Sequence, residues 1–318
     1  MSNDNPAISF IVPLYNEEEV LGTLLKRLST FSEGLSLSHE IIFIDDGSSD
    51  STPTKLKSVA MENARYNCIL LSRNFGHQYA VSAGLKFARA TEAVMILDGD
   101  LQDPPELFTD FYKYFKEGYD VVYGIRMKRK ENFLKRFSYF LFYRFLTKVS
   151  LTPVFVDSGD FSLISKRVVS IMNGMPEDSR FLRGMRSWVG FKQIGVEYER
   201  NKRAGGEPKY TLSKLSKLAY DGVFNFSFFP IKLLTYSGLT CFLSSIVYFI
   251  VTVARKVIYD DVPVGFTGLL FMIIFFGGIQ LISIGIIGEY VFRTFLQVKN
   301  RPLFIVKERI EDGKVINE

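Results

Sequence analysis

The sequence predicts an α/β protein with a mainly parallel sheet, followed by two membrane-spanning helices. Three observations predict it. Five short apolar runs, ISFIVPLY, EIIFIDD, CILLS, AVMILD and DVVYG, alternate with helix-like segments over the first 125 residues. Each run closes on a polar or glycine-bearing loop: YNEEE, DDGSSD, SRNFG, DGDLQD and GIRMKRK. Near the C-terminus, residues 233–254 and 262–288 carry no formal charge.

Taken in order, the five runs are rich in Ile and Val without polar alternation, as strands buried on both faces are. The segments between them, NEEEVLGTLLKRLSTF, STPTKLKSVAMENA, QYAVSAGLKFARA and PPELFTDFYKYFKEG, read as helices. Repeated strand–helix alternation argues for a parallel sheet with helices on both faces. At the start of the fourth helix, Asp103 reads as an N-cap, Pro104 as the first helical position and Glu106 as an acid reaching back.

After Gly124 the pattern changes. ENFLKRFSYFLFYRFLTKV, residues 131–149, is helical in length and apolar nearly all round, with basic residues at both ends. Such a helix is buried or lies against lipid, and its basic ends favour the membrane interface. TLSKLSKLAYDGVFNF sets Leu212, Leu215 and Leu218 on one side and Lys214 and Lys217 off it, an amphipathic juxtamembrane helix over residues 211–229. About 20 apolar residues span a bilayer core, so both charge-free stretches qualify. The expected plan is a domain over 1–210, the juxtamembrane helix, a two-helix anchor over 230–290 and a tail over 291–318.

MSNDNPAISFIVPLYNEEE has no basic residue before its apolar segment, which breaks at Pro13; it reads as a strand and not a signal peptide. Basic residues crowd before the first span (Lys202, Arg203, Lys209, Lys214, Lys217) and after the second (Arg293, Lys299, Arg301). In the connector Arg255 and Lys256 face Asp260 and Asp261. The positive-inside rule then places the main domain and both termini in the cytoplasm. Cys68 and Cys241 are far apart in sequence, and His39 and His77 are the only histidines, so neither a disulfide nor a zinc site is expected.

The net charge of +5 is uneven. Residues 126–148 carry eight Lys/Arg against Glu131, and residues 180–217 carry ten against Glu197, Glu199 and Glu207. Beside membrane spans, lipid phosphate is a nearer partner for such clusters than nucleic acid. No G-x-G-x-x-G follows the first strand and no G-x-x-x-x-G-K-[ST] occurs anywhere, which leaves dinucleotide oxidoreductases and P-loop ATPases without support. What the loops do hold is acid. In VMILDGDLQDPPE, Asp98 and Asp100 stand at a strand end with the Gln102 amide nearby, a donor set suited to Mg²⁺ or Mn²⁺ that leaves positions for phosphate oxygens. DDGSSD adds a second acidic loop on the same edge, where α/β sheets bind ligands.

IVPLYNEEE, IDDGSSD, SRNFG, ILDGDLQDPPE, DSGDFSLISKRV, RFLRGMRSWVGF and ERNKRAGGEPKY stand in the order found in glycosyltransferase family 2. The chain resembles the polyprenyl-phosphate glycosyltransferases of that family, relatives of dolichyl-phosphate mannose synthase with a two-span C-terminal anchor. Nearly the whole chain is covered. The resemblance implies a GT-A fold and inverting transfer of a sugar from a nucleotide donor to a lipid phosphate in the bacterial inner membrane. It implies that Pro13, Tyr15 and Glu17, with Asp45 or Asp46, hold the nucleoside. Asp98, Asp100 and Gln102 would bind the metal on the donor diphosphate, and Arg126, Arg136, Ser138, Arg200 and Arg203 would contact phosphate.

Asp157 is the family's usual candidate for a base, with Asp160 beside it. A phosphate monoester has a second pKa near ~6, so the acceptor oxygen is already mostly deprotonated at neutral pH and Asp157 is expected to orient it. GGEPKY has Pro208 where relatives carry a hydroxyl, so no side-chain phosphate contact is expected there. RGMRSWVGF does not meet the Q-x-x-R-W signature of processive synthases, leaving Trp188 open to a core role. The resemblance leans to UDP-glucose and undecaprenyl phosphate; GDP-mannose, UDP-N-acetylhexosamine and modified pentose donors fit the same loops. An inactive nucleotide-sugar sensor or scaffold is the alternative of a different class. The family includes homo-oligomers, and these residues fix no stoichiometry.

Overall fold

The computed structural model describes residues 5–127, 158–178, 180–199, 229–259 and 265–316. The strands and helices alternate as β1 (Ile8–Leu14), α1 (Glu18–Glu33), β2 (His39–Asp45), α2 (Thr52–Glu62), β3 (Tyr66–Leu71), α3 (His77–Phe87) and β4 (Ala93–Ile96). A 3₁₀ turn (Pro105–Leu107) leads into α4 (Phe108–Lys116), followed by β5 (Val121–Met127). Then come β6 (Ser158–Ser165), α5 (Lys166–Gly174), α6 (Leu182–Trp188) and β7 (Gln193–Glu199). Two long helices, α7 (Phe229–Tyr259) and α8 (Phe266–Lys299), precede β8 (Val306–Glu311) and β9 (Lys314–Ile316).

The sheet runs β7-β5-β6-β4-β1-β2-β3-β8-β9. Its centre is parallel: Ile8 aligns with His39 on one side and Ala93 on the other, and Ile41 aligns with Tyr66. All seven residues of β1 are buried, as expected of a strand with helices on both faces. On one face Phe10, Val12 and Phe43 pack with Leu21, Leu24 and Leu28 of α1 and with Phe108 and Phe111 of α4. On the other, Ile11, Ile42 and Ile44 pack with Ala80 and Ala83 of α3 and with Val168 and Val169 of α5. The α/β architecture read from the five apolar runs is the one observed.

β6 runs antiparallel to β4, pairing Ile96 with Ser162, and β5 antiparallel to β6. The start of β6 therefore lies at the carboxyl end of β4. That reversal brings a segment from residue 158 onward to the loop after residue 96.

The C-terminal residues differ from the sequence reading. Residues set apart as a tail form β8 and β9, and β8 pairs antiparallel with β3, Cys68 opposite Ile310. VKERIE is too charged to read as a strand, but only Ile310 is fully buried, and charge on the open face is what an edge strand tolerates. The attachment centres on Glu40. Its buried carboxylate accepts from Ser9 Oγ (2.6 Å), Asn67 Nδ2 (2.7 Å) and both Nε and backbone N of Arg89 (2.9 Å each). Arg89 extends its other edge to Asp312 (2.9 and 3.0 Å).

Helices α7 and α8 form a unit apart from the sheet. Pro230–Ile258 and Met272–Lys299 are long and apolar enough to cross a membrane, each with mean hydropathy 1.9. Phe242, Phe249, Leu281 and Ile284 are exposed, the outward apolar surface that lipid would cover. Thr235, Thr240, Ser244, Thr252 and Ser283 each donate to the carbonyl one turn earlier, so these five hydroxyls do not need water. The expected aromatic helix over 131–149 lies outside the described residues, as does the juxtamembrane helix over 211–229 apart from Phe229, which opens α7.

Arg89 holds the buried Glu40 and the exposed Asp312 at once, so the two contacts can be separated. Arg89→Met should cost about 3 kcal/mol, because a buried carboxylate loses its cation. Asp312→Ala should cost under ~1 kcal/mol, the range of an exposed pair. Denaturant unfolding in detergent checks the ratio; equal losses would mean that Glu40 does not need the charge.

Candidate active site

The carboxyl ends of β1, β2 and β4 converge, and each is followed by an acidic or polar loop. The loops after β1 and β2 are laced together. Asn16 donates its backbone N–H to Ser48 Oγ (2.8 Å) and accepts from Ser49 N–H (2.8 Å), while Glu17 N–H reaches Thr52 Oγ1 (3.1 Å). Pro13 is buried in β1, whereas Tyr15 just beyond the strand is partly exposed.

Within DDGSSD the two leading acids have different employment. Asp46 accepts from the backbone N–H of Phe75 (2.8 Å) and Gly76 (3.0 Å), which ties the loop after β3 to the loop after β2. Gly47 has φ +67° and lies so close to that loop that a Cβ would sit 2.3 Å from the Arg73 carbonyl carbon. Asp45 uses one oxygen to accept from Ser48 N–H (3.1 Å); its buried Oδ1 has no hydrogen-bond partner among the described residues. Burial pushes both carboxyls above their ordinary range, against the donors each receives.

The loop after β4 carries the densest charge. Gly99 rests on the end of β1, where a Cβ would stand 2.4 Å from the Leu14 side chain and 2.9 Å from the Pro13 carbonyl oxygen. Only a glycine between Asp98 and Asp100 lets the loop approach so closely. The backbone N–H of Gln102 donates to Asp100 Oδ1 (3.1 Å). Asp98 lies 3.4 Å from Arg126 Nη2 and 3.9 Å from His77 Nε2.

Asp103 was read as a helix cap, and the structure corrects that reading. The 3₁₀ turn begins at Pro105, beyond it, and the buried Asp103 carboxylate accepts from Tyr198 Oη and lies 3.5 Å from Arg126 Nη2. Arg126 Nε in turn donates to Tyr198 Oη (3.3 Å). Glu106 pairs with Arg27 of α1 instead of reaching back to a cap (2.8 Å).

A second cluster sits at the start of β6. Asp160, nearly inaccessible, accepts from Arg183 Nε (2.9 Å) and Nη2 (3.1 Å) and from Gln78 Nε2 (3.1 Å), with His77 Nε2 at 3.5 Å. His77 and Gln78 open α3, and Gln78 Oε1 accepts from Leu182 N–H (3.0 Å) at the start of α6. Arg186, on the same helix, is buried and donates weakly to the Gly159 carbonyl (3.5 Å). Burial lowers its pKa to about 10.

These clusters set the titration of the site. Burial works against the Asp160 anion, but Arg183 and His77 outweigh it and hold the carboxyl well below the usual range. Burial likewise works against a charged His77, and the hydrogen bond to Asp160 with the Asp98 charge wins, so its pKa rises. Asp98 goes the other way: burial first, then Asp103, pushes it up to about 7 although His77 draws it down. Asp98 is thus a half-buried carboxyl at which burial and the neighbouring acids outweigh the cations beside it.

Of the sequence-derived site residues, Pro13, Tyr15, Glu17, Asp45, Asp46, Asp98, Asp100, Gln102 and Arg126 occupy loops or strand ends along this edge. Asp157, Arg136, Ser138, Arg200 and Arg203 lie outside the described residues. Trp188 is 62 % exposed, so no core role holds it. The sequence reading passed over His77, Gln78, Arg183 and Tyr198. The one available signal was HQ directly after the SRNFG loop, on an edge already marked for binding.

Among the described residues no group of three Asp, Glu, His or Cys side chains could hold a metal ion unaided. Asp98 and Asp100 fit a hard cation that completes its shell with water or ligand oxygens, as Mg²⁺ does. The surplus acid around Asp98 is what such an ion would relieve. If Asp98 is a ligand, binding must compete with its proton. Mn²⁺ affinity, followed by electron paramagnetic resonance, should rise from pH 6 to pH 8, with a slope approaching ~10-fold per unit below pH 7. Asp98→Asn should weaken binding and abolish the slope; a pH-independent wild-type affinity would remove Asp98 from the ligand set.

Residues 9–171 match the family model described as glycosyl transferase family 2. An uncharacterized glycosyltransferase of Bacillus subtilis, YkcC, is 40 % identical over 94 % of this chain and 93 % of its own length. The bactoprenol glucosyl transferase of Shigella phage SfII is 37 % identical over 95 % of this chain and 97 % of its own. Among solved structures, mannosyl-3-phosphoglycerate synthase from Rubrobacter xylanophilus is 16 % identical with a TM-score of 0.46, over 69 % of this chain and 72 % of that one.

Proposed function

Because the chain belongs to glycosyl transferase family 2, we propose that it transfers glucose from UDP-glucose to a polyprenyl phosphate, with inversion at the anomeric carbon. The observation that carries the proposal is the pair of carboxylates Asp98 and Asp100 on the loop after β4, at the carboxyl edge of the sheet, in a chain that also has two helices of membrane-spanning length. Relatives named bactoprenol glucosyl transferase, matched over nearly their full length, support the acceptor class.

The donor side is read as follows. Asp45 has a buried acceptor oxygen without a hydrogen-bond partner among the described residues, suited to an N–H of the nucleoside base, while Asp46 is engaged in holding the neighbouring loop. Pro13 and Tyr15 border the same position at the end of β1. Asp98, Asp100 and Gln102 would hold Mg²⁺ or Mn²⁺ on the donor diphosphate. When bound, that ion supplies Lewis-acid stabilisation of the negative charge gathered on the departing nucleoside diphosphate. Arg126, tied to Asp98, Asp103 and Tyr198, sets a guanidinium beside that charge.

In the reaction an acceptor phosphate oxygen forms the new bond to the anomeric carbon as the bond to the donor β-phosphate oxygen breaks on the opposite face. The bonding electron pair stays on that oxygen and leaves with the nucleoside diphosphate. The acceptor arrives mostly deprotonated, its second pKa being near ~6, so little is asked of a base. Asp160 is unsuited to that task, since Arg183, Gln78 and His77 occupy its oxygens. Asp157 is assigned to orienting the acceptor, and the basic residues Arg136, Arg200 and Arg203 with Ser138 to its phosphate. With the domain on the cytoplasmic face, the anchor brings the reaction to the lipid.

The test is transfer from radiolabelled nucleotide sugars to undecaprenyl phosphate, with Mg²⁺ or Mn²⁺ and with EDTA. UDP-glucose should give a lipid-linked product that EDTA abolishes and that Asp100→Asn reduces by at least ~10²-fold, beyond the effect of an outer-shell change. Product from another sugar alone would correct the donor. Metal-dependent binding of UDP without product from any donor would favour a nucleotide-sugar sensor.

A further inference from the structure

The acidic loop after β4 contains a bulky residue in an unfavourable conformation. Leu101, between Asp100 and Gln102, has φ +61° and is buried. A branched residue enters the left-handed region only when its surroundings hold it there. Its side chain is packed in the core, and its carbonyl is gripped from outside the loop. Arg27 of α1 donates from Nη1 to the Leu101 oxygen at 3.2 Å.

The same guanidinium is fixed in place by a bidentate pair. Its Nε and Nη2 donate to the two carboxylate oxygens of Glu106, at 3.0 and 2.8 Å. Glu106 stands at the far end of the same loop, in the 3₁₀ turn. One planar, five-donor group therefore bridges both ends of residues 101–106 and anchors them to a helix 74 positions earlier. Lysine has no fork with which to do this. The Glu106 carboxylate is more than half exposed, so the ion pair by itself adds little stability. The value of the clamp lies in where it holds the loop.

We propose that Arg27 is a positioning residue for the donor-binding loop, acting through Glu106 and the Leu101 carbonyl to preform the Asp98–Gln102 geometry. This rests on the reading that Asp98, Asp100 and Gln102 hold the ion of the donor diphosphate. Arg27 touches neither the ion nor the sugar. It reduces the ordering that binding would otherwise have to supply, so its loss is felt as weaker donor binding before it is felt as unfolding.

The experiment uses the full chain in detergent with Arg27→Met, which keeps the stem and removes the donors, Glu106→Gln, which keeps the shape and removes the charge, and Lys26→Met as a control. Amide hydrogen exchange over residues 99–104 is measured first, without metal. Mn²⁺-dependent UDP binding follows, then KM and kcat for UDP-glucose. Arg27→Met should raise exchange across the loop about 10-fold, and Glu106→Gln in the same direction by less. Arg27→Met should also weaken UDP binding and raise KM by roughly 5- to 10-fold. The thermal midpoint should move by no more than about 3 °C, and Lys26→Met should change none of these. Unchanged exchange and affinity in both clamp variants would overturn the proposal, as would a fall in midpoint with binding intact in the folded fraction. If wild-type protein binds no UDP with Mn²⁺, the reading of the site fails, while the metal-free exchange still decides whether Arg27 holds the loop.

Discussion

Crowding of like charge at the carboxyl end of β4 is the constraint on which the rest of the site depends. Asp98, Asp100 and Asp103 lie within six residues, and the antiparallel entry of β6 adds Asp160. Four carboxylates cannot share a sheltered edge without either positive partners or protons. The structure separates them by partner. Asp160 is held by Arg183 with His77 beside it, Asp103 and Asp98 both lie against Arg126, Asp100 accepts from the Gln102 N–H, and at Asp98 burial and the neighbouring acids outweigh the positive charge nearby. In the proposed function, a cation held jointly by Asp98 and Asp100 would relieve that crowding.

The scaffold explains why the deficit can be held. β1 and β2 end opposite each other, β4 ends beside Ile11 at the same edge of a sheet whose centre is buried on both faces, and Gly47 and Gly99 let the loops after β2 and β4 pack closely against neighbouring chain. Asp46 shows the economy of the arrangement: a carboxylate that looks available in sequence is consumed in closing two loops together. Its neighbour Asp45 is thereby pinned with one oxygen that has no hydrogen-bond partner among the described residues.

The strands were legible because a buried parallel strand needs an uninterrupted apolar run, and each of the five runs had one. The spans were legible for the same reason at greater length. The acids at strand ends could be found because the fold class itself says where ligands bind. What escaped was everything decided by contacts across long sequence separations. Asp103 followed by Pro104 satisfies the local pattern of a helix start, and nothing nearby reveals Tyr198, 95 residues on, waiting for its carboxylate. His77, Gln78 and Arg183 are ordinary in their own segments and acquire meaning only when β6 delivers Asp160 among them. β8 failed to read as a strand because its stabilisation comes from covering the edge of β3 and from Asp312 reaching Arg89, not from its own apolar content.

The same charge balance bears on the order of events at such a site. An edge with surplus carboxylate repels a nucleoside diphosphate, so anion binding there depends on a cation arriving before or with it. The basic residues that balance the chain as a whole are concentrated in residues 126–148 and 180–217, away from the acidic loops in sequence. Arg126 is the residue at the boundary: it ends β5 among the acids, at the head of the first basic block. In the proposed reaction, because Asp98 and Asp103 already draw on its charge, Arg126 would steady an incoming phosphate without binding it so tightly that product is retained. An arginine without those acids would bind phosphate more strongly and release it more slowly.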